Sequence, residues 1–304
     1  MKKYVVISPI RNEAKFLPRV IHSVLNQTIR PTEWIVVDDG STDNTGKILQ
    51  EAAQKYKWIT YVHKPDRGVR LVGPGVVETF YYGYKRMKTK EYDFIAKMDG
   101  DLEFGPKYIE TLLHYFNKDP FLGSASGKIF LPIGNNKLIE ERITDEMTSG
   151  AFNFYRRQTF DDIGGFVREV MWDGIAYHQA RIKGWRTRSI HHADLKIIHK
   201  RLMGSSHKNI IHGRLRWGRG QYFMGTHPLY ILAIAAYRMF ERPFMIGGFG
   251  ILTGYILSAF NRIKRYGDDE FRKSLHAWQM ERLKLGKRLE SIPQAAAELY
   301  QFNN

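Results

Sequence analysis

The chain has 304 residues, of which 43% are hydrophobic and 13% are aromatic. This composition excludes a disordered chain, because so much apolar surface can offset the entropy that is lost on folding. The absence of cysteine excludes disulfides and thiolate metal sites. A formal net charge of +16 indicates an anionic partner, which is nucleic acid, an acidic membrane surface or a phosphorylated substrate.

Short apolar runs alternate with helical patterns in the first third of the chain. The apolar centre before Pro9 is too short for a secretory signal, so we predict that it forms the first strand. The strands that we predict here span residues 4–8, 34–37, 59–63 and 94–98, and the helices span residues 13–25 and 45–56. Continuous apolar strands that alternate with helices indicate an α/β fold with a parallel sheet covered on both faces.

The pattern changes twice in the second half of the chain. A turn at Gly164 and Gly165 precedes a predicted helix over residues 172–183 and a predicted strand over residues 186–190. Long helical patterns follow His207. We therefore predict a boundary near Gly204, with a sheet domain over residues 1–204 and a helical region over residues 205–304.

Acidic residues follow two of the predicted strands, where the ligand site of a parallel sheet lies. Asp38 and Asp39 follow one strand, and Asp99 and Asp101, separated by Gly100, follow another. Two carboxylates at this spacing suit a divalent cation, which bridges diphosphate oxygens and neutralises the charge of the departing group. An isolated Asp-Gly-Asp is commonly a plain turn, but its place after a buried strand favours the cation site.

Three ordered motifs resemble those of the family 2 glycosyltransferases, which have the GT-A fold. They are Val6-Ile-Ser-Pro-Ile-Arg-Asn-Glu13, Val36-Val-Asp-Asp-Gly-Ser-Thr-Asp43 and Met98-Asp-Gly-Asp-Leu102. The resemblance runs from about Lys3 to His207. It implies a mixed, mostly parallel sheet with helices on both faces. It also implies inverting transfer of a sugar from a UDP-sugar or another nucleotide diphosphate sugar to a hydroxyl of a glycan or a lipid-linked acceptor.

The resemblance also implies roles for individual residues. Pro9 and Glu13 line the nucleotide pocket, and Asp39 contacts the nucleoside. Asp99 and Asp101 hold the diphosphate through Mn²⁺ or Mg²⁺. Glu13 has an alternative reading as a carboxylate in the first turn of a helix, stabilised by the helix dipole.

Asp66 and Arg67, which follow the third predicted strand, are further candidates for nucleotide-sugar binding. Arg67 and Arg70 suit a diphosphate, because guanidinium groups bind phosphate oxygens in pairs. The alternative is a solvated, charged loop.

The stretch from Glu169 to Asp173 resembles the family's acidic motif, with Trp172 where a second acid often stands. It implies that Asp173 is the catalytic base that accepts the proton of the acceptor hydroxyl. A helix N-terminus at this point favours the ionised carboxylate, and an ordinary N-cap is the alternative. A histidine often follows this motif in the family, so His199 is a third candidate metal ligand, with a purely structural histidine as the alternative.

The stretch Gly213-Arg-Leu-Arg216-Trp217 is comparable with the Gln-x-x-Arg-Trp pentapeptide of the processive family members. Glycine replaces glutamine here, which argues against processive synthesis. Arg214, Arg216 and Arg219 suit a diphosphate or an anionic lipid, and a solvated basic helix face is the alternative.

An apolar hairpin is predicted over residues 228–260. Its second half, Phe244 to Phe260, is an uncharged run of about 17 residues, near the lower limit for a spanning helix. Basic residues flank the run on both sides, which favours a helix in the interface of an acidic membrane: Arg238, Arg242, Arg262, Lys264 and Arg265. We therefore expect the protein at the cytoplasmic face of a membrane, or in the cytoplasm if the hairpin is buried against the sheet domain.

Two other functions are compatible with the sequence. The stretch from Met98 to Ile109 resembles the corresponding region of the dolichol-phosphate sugar synthases, which suggests transfer to a polyprenyl phosphate, an acceptor that is already anionic and needs no base. A basic nucleic-acid-binding protein would account for the net charge. It would leave the strand-end aspartates unexplained, so we expect no nucleic-acid partner.

Overall fold

The computed structural model describes residues 2–68, 71–133, 137–141, 144–200, 210–240 and 244–285. Three features of the sequence analysis lie outside these residues: the boundary near Gly204, Arg70 and Arg242.

The described residues form eleven strands and ten α-helices. The strands are β1 (Tyr4–Ile10), β2 (Glu33–Asp39), β3 (Ile59–Lys64), β4 (Phe94–Met98), β5 (Leu102–Phe104), β6 (Leu122–Gly127), β7 (Ile129–Pro132), β8 (Leu138–Glu140), β9 (Phe152–Arg156), β10 (Arg186–Ile190) and β11 (Ile197–His199). The helices are α1 (Leu17–Leu25), α2 (Thr45–Lys55), α3 (Pro74–Tyr84), α4 (Tyr108–Lys118), α5 (Arg157–Asp162), α6 (Trp172–Ile182), α7 (Ile210–Met224), α8 (Pro228–Met239), α9 (Ile246–Phe260) and α10 (Asp269–Leu285).

A seven-stranded sheet with the order β10-β6-β9-β4-β1-β2-β3 forms the centre of the molecule. Its strands run parallel except β9, which is antiparallel to its neighbours β4 and β6. A smaller sheet has the order β5-β11-β7-β8. The predicted α/β fold with a mixed, mostly parallel sheet is therefore confirmed.

Side chains of the central strands are buried on both faces of the sheet. In β1, Val6 packs in one hydrophobic cluster with Leu17 of α1. The next residue, Ile7, packs in the opposite cluster with Phe80 of α3. Because successive strand residues point to opposite faces, a strand with helices on both sides must be apolar throughout. This requirement explains the uninterrupted apolar runs of the sequence.

The connection from β1 to α1 differs from the prediction. The strand continues to Ile10, and the helix begins at Leu17 with proline in its first turn. Between them, Asn12 has a left-handed backbone with φ of 54°, and its side-chain oxygen accepts a hydrogen bond from Thr42 N at 2.8 Å. Glu13 therefore lies ahead of α1, and its reading as a carboxylate in the first helical turn is wrong.

The four C-terminal helices pack on one another and on the sheet domain. Arg181 of α6 donates a hydrogen bond to the hydroxyl of Ser274 in α10 at 2.8 Å. A Cβ atom added to Gly254 of α9 would lie 2.1 Å from the carbonyl oxygen of Leu215 in α7, so the two backbones touch at this point. In the described part of the chain, no helix is long and apolar enough to cross a membrane.

The backbone contact between α7 and α9 leads to a prediction for Gly254→Ala. Alanine favours a helix by about 1 kcal/mol over glycine, but its methyl group would overlap the Leu215 carbonyl. We expect a net loss of about 1–3 kcal/mol in the free energy of unfolding, measured by urea denaturation. Gly105→Ala is the control, because nothing lies within 4 Å of the added Cβ there. An unchanged or higher stability of Gly254→Ala would contradict the close packing.

Candidate active site

A cavity of about 510 Å³ opens at the carboxyl ends of β1, β2 and β4. Its volume falls in the usual range for small-molecule sites, which is about 300–1,000 Å³. Seven of the nine predicted site residues line it: Pro9, Glu13, Asp39, Asp99, Asp101, Asp173 and His199. The other two, Asp66 and Arg67, contact residues of the cavity wall instead of the cavity.

Gly100 brings the acidic motif against Glu13 in the cavity wall. A Cβ atom at Gly100 would lie 3.2 Å from Cγ of Glu13. Glu13 is 6% exposed, and its backbone nitrogen donates to the Thr45 hydroxyl at 2.8 Å. The glycine therefore provides space for the Glu13 side chain beside the Asp99 and Asp101 turn.

A buried lysine that the sequence analysis did not identify lies under this acidic motif. Lys97, the penultimate residue of β4, is 3% exposed, and its Nζ atom lies 2.5 Å from Oδ1 of Asp99 and 2.7 Å from the carbonyl oxygen of Gly150. Burial raises the pKa of Asp99, the Lys97 ammonium opposes that rise, and Asp101 adds to it. The signal in the sequence is a single charge inside a strand that is otherwise apolar.

Strand pairing places His199 beside Asp101. Strand β11 runs antiparallel to β5, with His199 opposite Leu102, and Nε2 of His199 lies 3.3 Å from Oδ2 of Asp101. Burial opposes a charge on His199, but the hydrogen bond to Asp101 and the charges of Asp101, Asp99 and Glu141 outweigh it and raise the pKa of His199. Its Nδ1 atom is buried and has no hydrogen-bond partner among the described residues.

Asp99, Asp101 and His199 supply two carboxylates and an imidazole, a donor set that fits Mn²⁺ or Mg²⁺ with oxygen ligands completing the shell. The unsatisfied Nδ1 atom of His199 is consistent with a further ligand in this region. Within the described ranges, no three acidic or histidine side chains are close enough to enclose a metal ion by themselves. A cation at these residues would therefore need further ligands from outside this set.

Asp173 enters the cavity from the first turn of α6. The N-cap residue is Met171, which has a left-handed backbone with φ of 68°, so the reading of Asp173 as an ordinary N-cap is wrong. A Cβ atom at Gly150 would lie 2.6 Å from Oδ2 of Asp173, which places the carboxylate close to the carbonyl that binds Lys97.

The pKa of Asp173 departs from the expectation for a helix N-terminus. Burial raises the pKa of Asp173, and the hydrogen bond from Gly174 N at 2.9 Å and the Lys97 ammonium only partly offset it. Desolvation thus outweighs the favourable helix terminus.

The Asp39 carboxylate is held by two cations. Arg67 donates to both of its oxygens at 2.7 and 3.0 Å, and Lys64 donates to Oδ1 at 2.8 Å. The Arg67 side chain is 14% exposed and also bonds Glu78 at 3.0 Å, so the alternative of a solvated loop is wrong for this residue. Arg67 therefore positions Asp39 at the cavity wall.

Asp66 lies outside the cavity and contacts Arg11, which lines it. Its Oδ1 atom accepts hydrogen bonds from Arg11 at 2.7 Å and from Gly68 N at 2.9 Å. The Arg11 hydrogen bond is the main cause that lowers the pKa of Asp66. Arg11 itself lines the cavity, so Asp66 orients a residue of the wall.

Basic residues of helices α7 and α8 also line the cavity. Arg214, Arg216 and Trp217 of α7 line it, as does Arg238 of α8, whose guanidinium lies 5.2 Å from the Trp217 ring centre. Burial lowers the pKa of Arg216. The alternative of a solvated basic face is therefore wrong for Arg214 and Arg216.

Two further residues complete the description of the cavity. Arg219 does not line it, is 54% exposed and lies 3.7 Å from Glu169. Glu141, which the sequence analysis did not identify, also lines the cavity, and burial raises its pKa against the charges of His199 and Arg238.

A family model described as glycosyl transferase family 2 matches residues 5–169, more than half of the 304 residues. This chain therefore belongs to glycosyl transferase family 2, and the resemblance drawn from its three motifs is confirmed. A curated relative, the chondroitin synthase of Escherichia coli, is 31% identical over 111 residues, which are 36% of this chain and 15% of that protein. The chain thus matches only a small part of the length of this relative.

Solved structures with the same architecture include two glycosyltransferases. The mannosyltransferase PcManGT from Pyrobaculum calidifontis, in complex with GDP-Man and Mn²⁺, has a TM-score of 0.51 and 14% identity over 98% of this chain and 78% of that chain. GalNAc-T7 with UDP, GalNAc and Mn²⁺ has a TM-score of 0.58 and 13% identity over 92% of this chain and 57% of that chain. At these identities the likeness shows the fold alone, and it confirms the GT-A architecture.

The raised pKa of His199 predicts a pH dependence of stability in the metal-free protein. Because the folded state favours protonated His199, its contribution is fully present below the unfolded pKa of about 6.5 and is lost as pH rises through the folded pKa. In chelator, the gap in Tm between the wild type and His199→Gln should be larger near pH 6 than near pH 8. His114→Gln is the control for an exposed histidine. A gap that widens towards pH 8 would contradict the assignment.

Proposed function

We propose that this protein transfers a sugar from a nucleoside diphosphate sugar to a hydroxyl group of a glycan or a lipid-linked acceptor, with inversion at the anomeric carbon, in the synthesis of a polysaccharide or glycoconjugate. The observation that carries the proposal is the meeting of Asp99, Asp101 and Asp173 at one cavity of a family 2 fold. Related folds that hold UDP or GDP-mannose support a nucleotide sugar as the donor.

The donor diphosphate needs positive charge on the departing group. Asp99, Asp101 and His199 would hold Mn²⁺ or Mg²⁺, which supplies Lewis-acid stabilisation of a leaving diphosphate. Arg214 and Arg216 lie across the same cavity and supply guanidinium groups for phosphate oxygens. The nucleoside lies towards Pro9, Glu13 and the ion-paired Asp39 in this arrangement.

Asp173 is the residue that would accept the acceptor proton. As the hydroxyl oxygen attacks the anomeric carbon, its proton passes to the carboxylate, the bond from that carbon to the diphosphate oxygen breaks, and the diphosphate leaves with the electron pair. Attack from the side opposite the leaving group inverts the anomeric carbon. The raised pKa of Asp173 makes its carboxylate a stronger base than an exposed aspartate.

The acidic motif is tested by Asp99→Asn and Asp101→Asn. Each change removes a charge that faces the proposed cation, so we expect sugar transfer to fall at least about a hundredfold. Thermal stabilisation by UDP- and GDP-sugars with Mn²⁺ should identify the donor in the wild type and be lost in both variants. Asp161→Asn is the control, since Asp161 is a surface residue paired with Arg157. Full activity in excess chelator would remove the metal from the proposal.

The role of Asp173 is tested by the pH profile of kcat/KM. The base must be ionised, so activity should fall as pH drops through its folded pKa. Since burial raises that pKa, the loss should begin above the ordinary value for aspartate, about 3.9. Asp173→Asn should lower kcat at least about a hundredfold, and Asp173→Glu should shift the acidic limb. A limb that stays in place in Asp173→Glu would assign it to another group.

A second candidate, transfer to a polyprenyl phosphate, is favoured by one observation. Arg238 lines the cavity in addition to Arg214 and Arg216, and it is available for an acceptor phosphate when those two bind the donor. An anionic acceptor needs no base, so an active Asp173→Asn variant would select this reaction.

A further inference from the structure

The described residues expose an unusually apolar surface on the helical hairpin of α8 and α9. Eleven of the seventeen large hydrophobic side chains that are exposed in the described part of the chain lie on it. We define this apolar face by those residues: Leu229, Leu232, Tyr237, Phe240, Phe244, Met245, Ile246, Phe249, Ile256, Leu257 and Phe260. Soluble proteins rarely expose so many neighbouring apolar side chains without a partner for them.

The apolar face consists of exposed residues on both helices and of Phe240, Phe244 and Met245, which lie between them. Exposed residues recur at helical spacing in α9, as at Phe249, Ile256 and Phe260, while the opposite side of that helix is buried. On the buried side, Ile251 and Gly254 pack against α7. The helix is therefore apolar all round, and packing against the rest of the protein covers only half of it. This composition is typical of helices whose outer side contacts lipid or another apolar surface.

The positive charge of the chain indicates which partner covers the apolar face. Arg262 and Lys264, both exposed, follow α9 directly after Phe260, which is 86% exposed. The whole chain carries a formal net charge of +16. A second copy of this chain would bring the same positive charges together, whereas an anionic lipid surface offers apolar chains beside negative headgroups.

We propose that the apolar face docks on an anionic lipid bilayer, with α8 and α9 lying in the headgroup interface instead of crossing it. The two helices have 12 and 15 residues and remain below the length that spans a bilayer. Apolar side chains enter the acyl boundary, and Arg262 and Lys264 reach the headgroups.

Docking on this face sets the position of the active-site cavity. Gly250 of α9 packs on Arg214 of α7, since a Cβ at Gly250 would lie 2.9 Å from the Arg214 Cβ. Arg214 also lines the cavity. One helix therefore separates the lipid surface from the basic wall of the cavity. This separation suits an acceptor that is anchored in the same bilayer. The statement about the acceptor rests on the proposed function.

Co-sedimentation of the full chain with lipid vesicles tests the docking. We expect binding to phosphatidylcholine vesicles that contain about 30% phosphatidylglycerol, and weaker binding to pure phosphatidylcholine. Phe249→Ser combined with Phe260→Ser should weaken binding at least about tenfold. Arg262→Glu combined with Lys264→Glu should weaken binding to the anionic vesicles by at least about fivefold for each basic residue that is replaced.

Phe121→Ser is the matched control, because Phe121 is 58% exposed and Phe249 is 53% exposed, but Phe121 lies away from the hairpin. Vesicle binding that Phe249→Ser and Phe260→Ser leave unchanged would overturn the proposal. A stable dimer that covers the face and binds no vesicles would also overturn it. Co-sedimentation needs no sugar donor, so its result does not depend on the proposed function. If the protein binds vesicles but shows no transfer activity in a separate assay, the proposed function is contradicted and the docking is not.

Discussion

The buried contact between Lys97 and Asp99 is the interaction on which the active-site cavity depends. Four aspartates line this cavity, among them Asp99, Asp101 and Asp173, and carboxylates that are close together and poorly solvated repel one another. Lys97 lies below them, bonded to Asp99 and to the Gly150 carbonyl, with its ammonium 5.4 Å from the Trp172 ring centre. Strand β4, the loop before β9 and the start of α6 therefore meet at one positive charge.

The same principle of charge compensation applies around the rest of the cavity. Asp39 is bonded by Arg67 and Lys64, and Asp101 lies beside a histidine whose pKa is raised. Breaking a buried pair by removing one partner costs more than the pair itself contributes. The acidic residues of the cavity are therefore held in place by their cations, and the basic residues of α7 and α8 line the same cavity.

Much of the fold and part of the site were predictable from the sequence, because local rules determine them. A buried parallel strand must be apolar and its carboxyl end faces the ligand, which located Asp39, Asp99 and Asp101. Lys97 was missed, and Arg238 was interpreted as a membrane flank although it lines the cavity, because their roles depend on residues distant in the chain. Long-range packing also determines the ion pairs of Asp39, which no spacing rule reveals.

The start of α1 shows the same limit on a smaller scale. Helical periodicity extended the predicted helix back to Glu13, but the left-handed Asn12 and its hydrogen bond to Thr42 delay it. That hydrogen bond joins the β1 and β2 loops, so it depends on the sheet being formed. Local propensity alone therefore misplaced the helix boundary while identifying the helix itself.

The glycines between α7 and α9 have a mechanical consequence. Gly218 and Gly254 bring backbone against backbone, so at these two positions no flexible side chain separates the helices and absorbs a displacement. A push on the outer helix would be transmitted as a rigid-body shift to the inner one, which carries Arg214 and Arg216. The guanidinium groups that face the cavity would then move together with the outer helix.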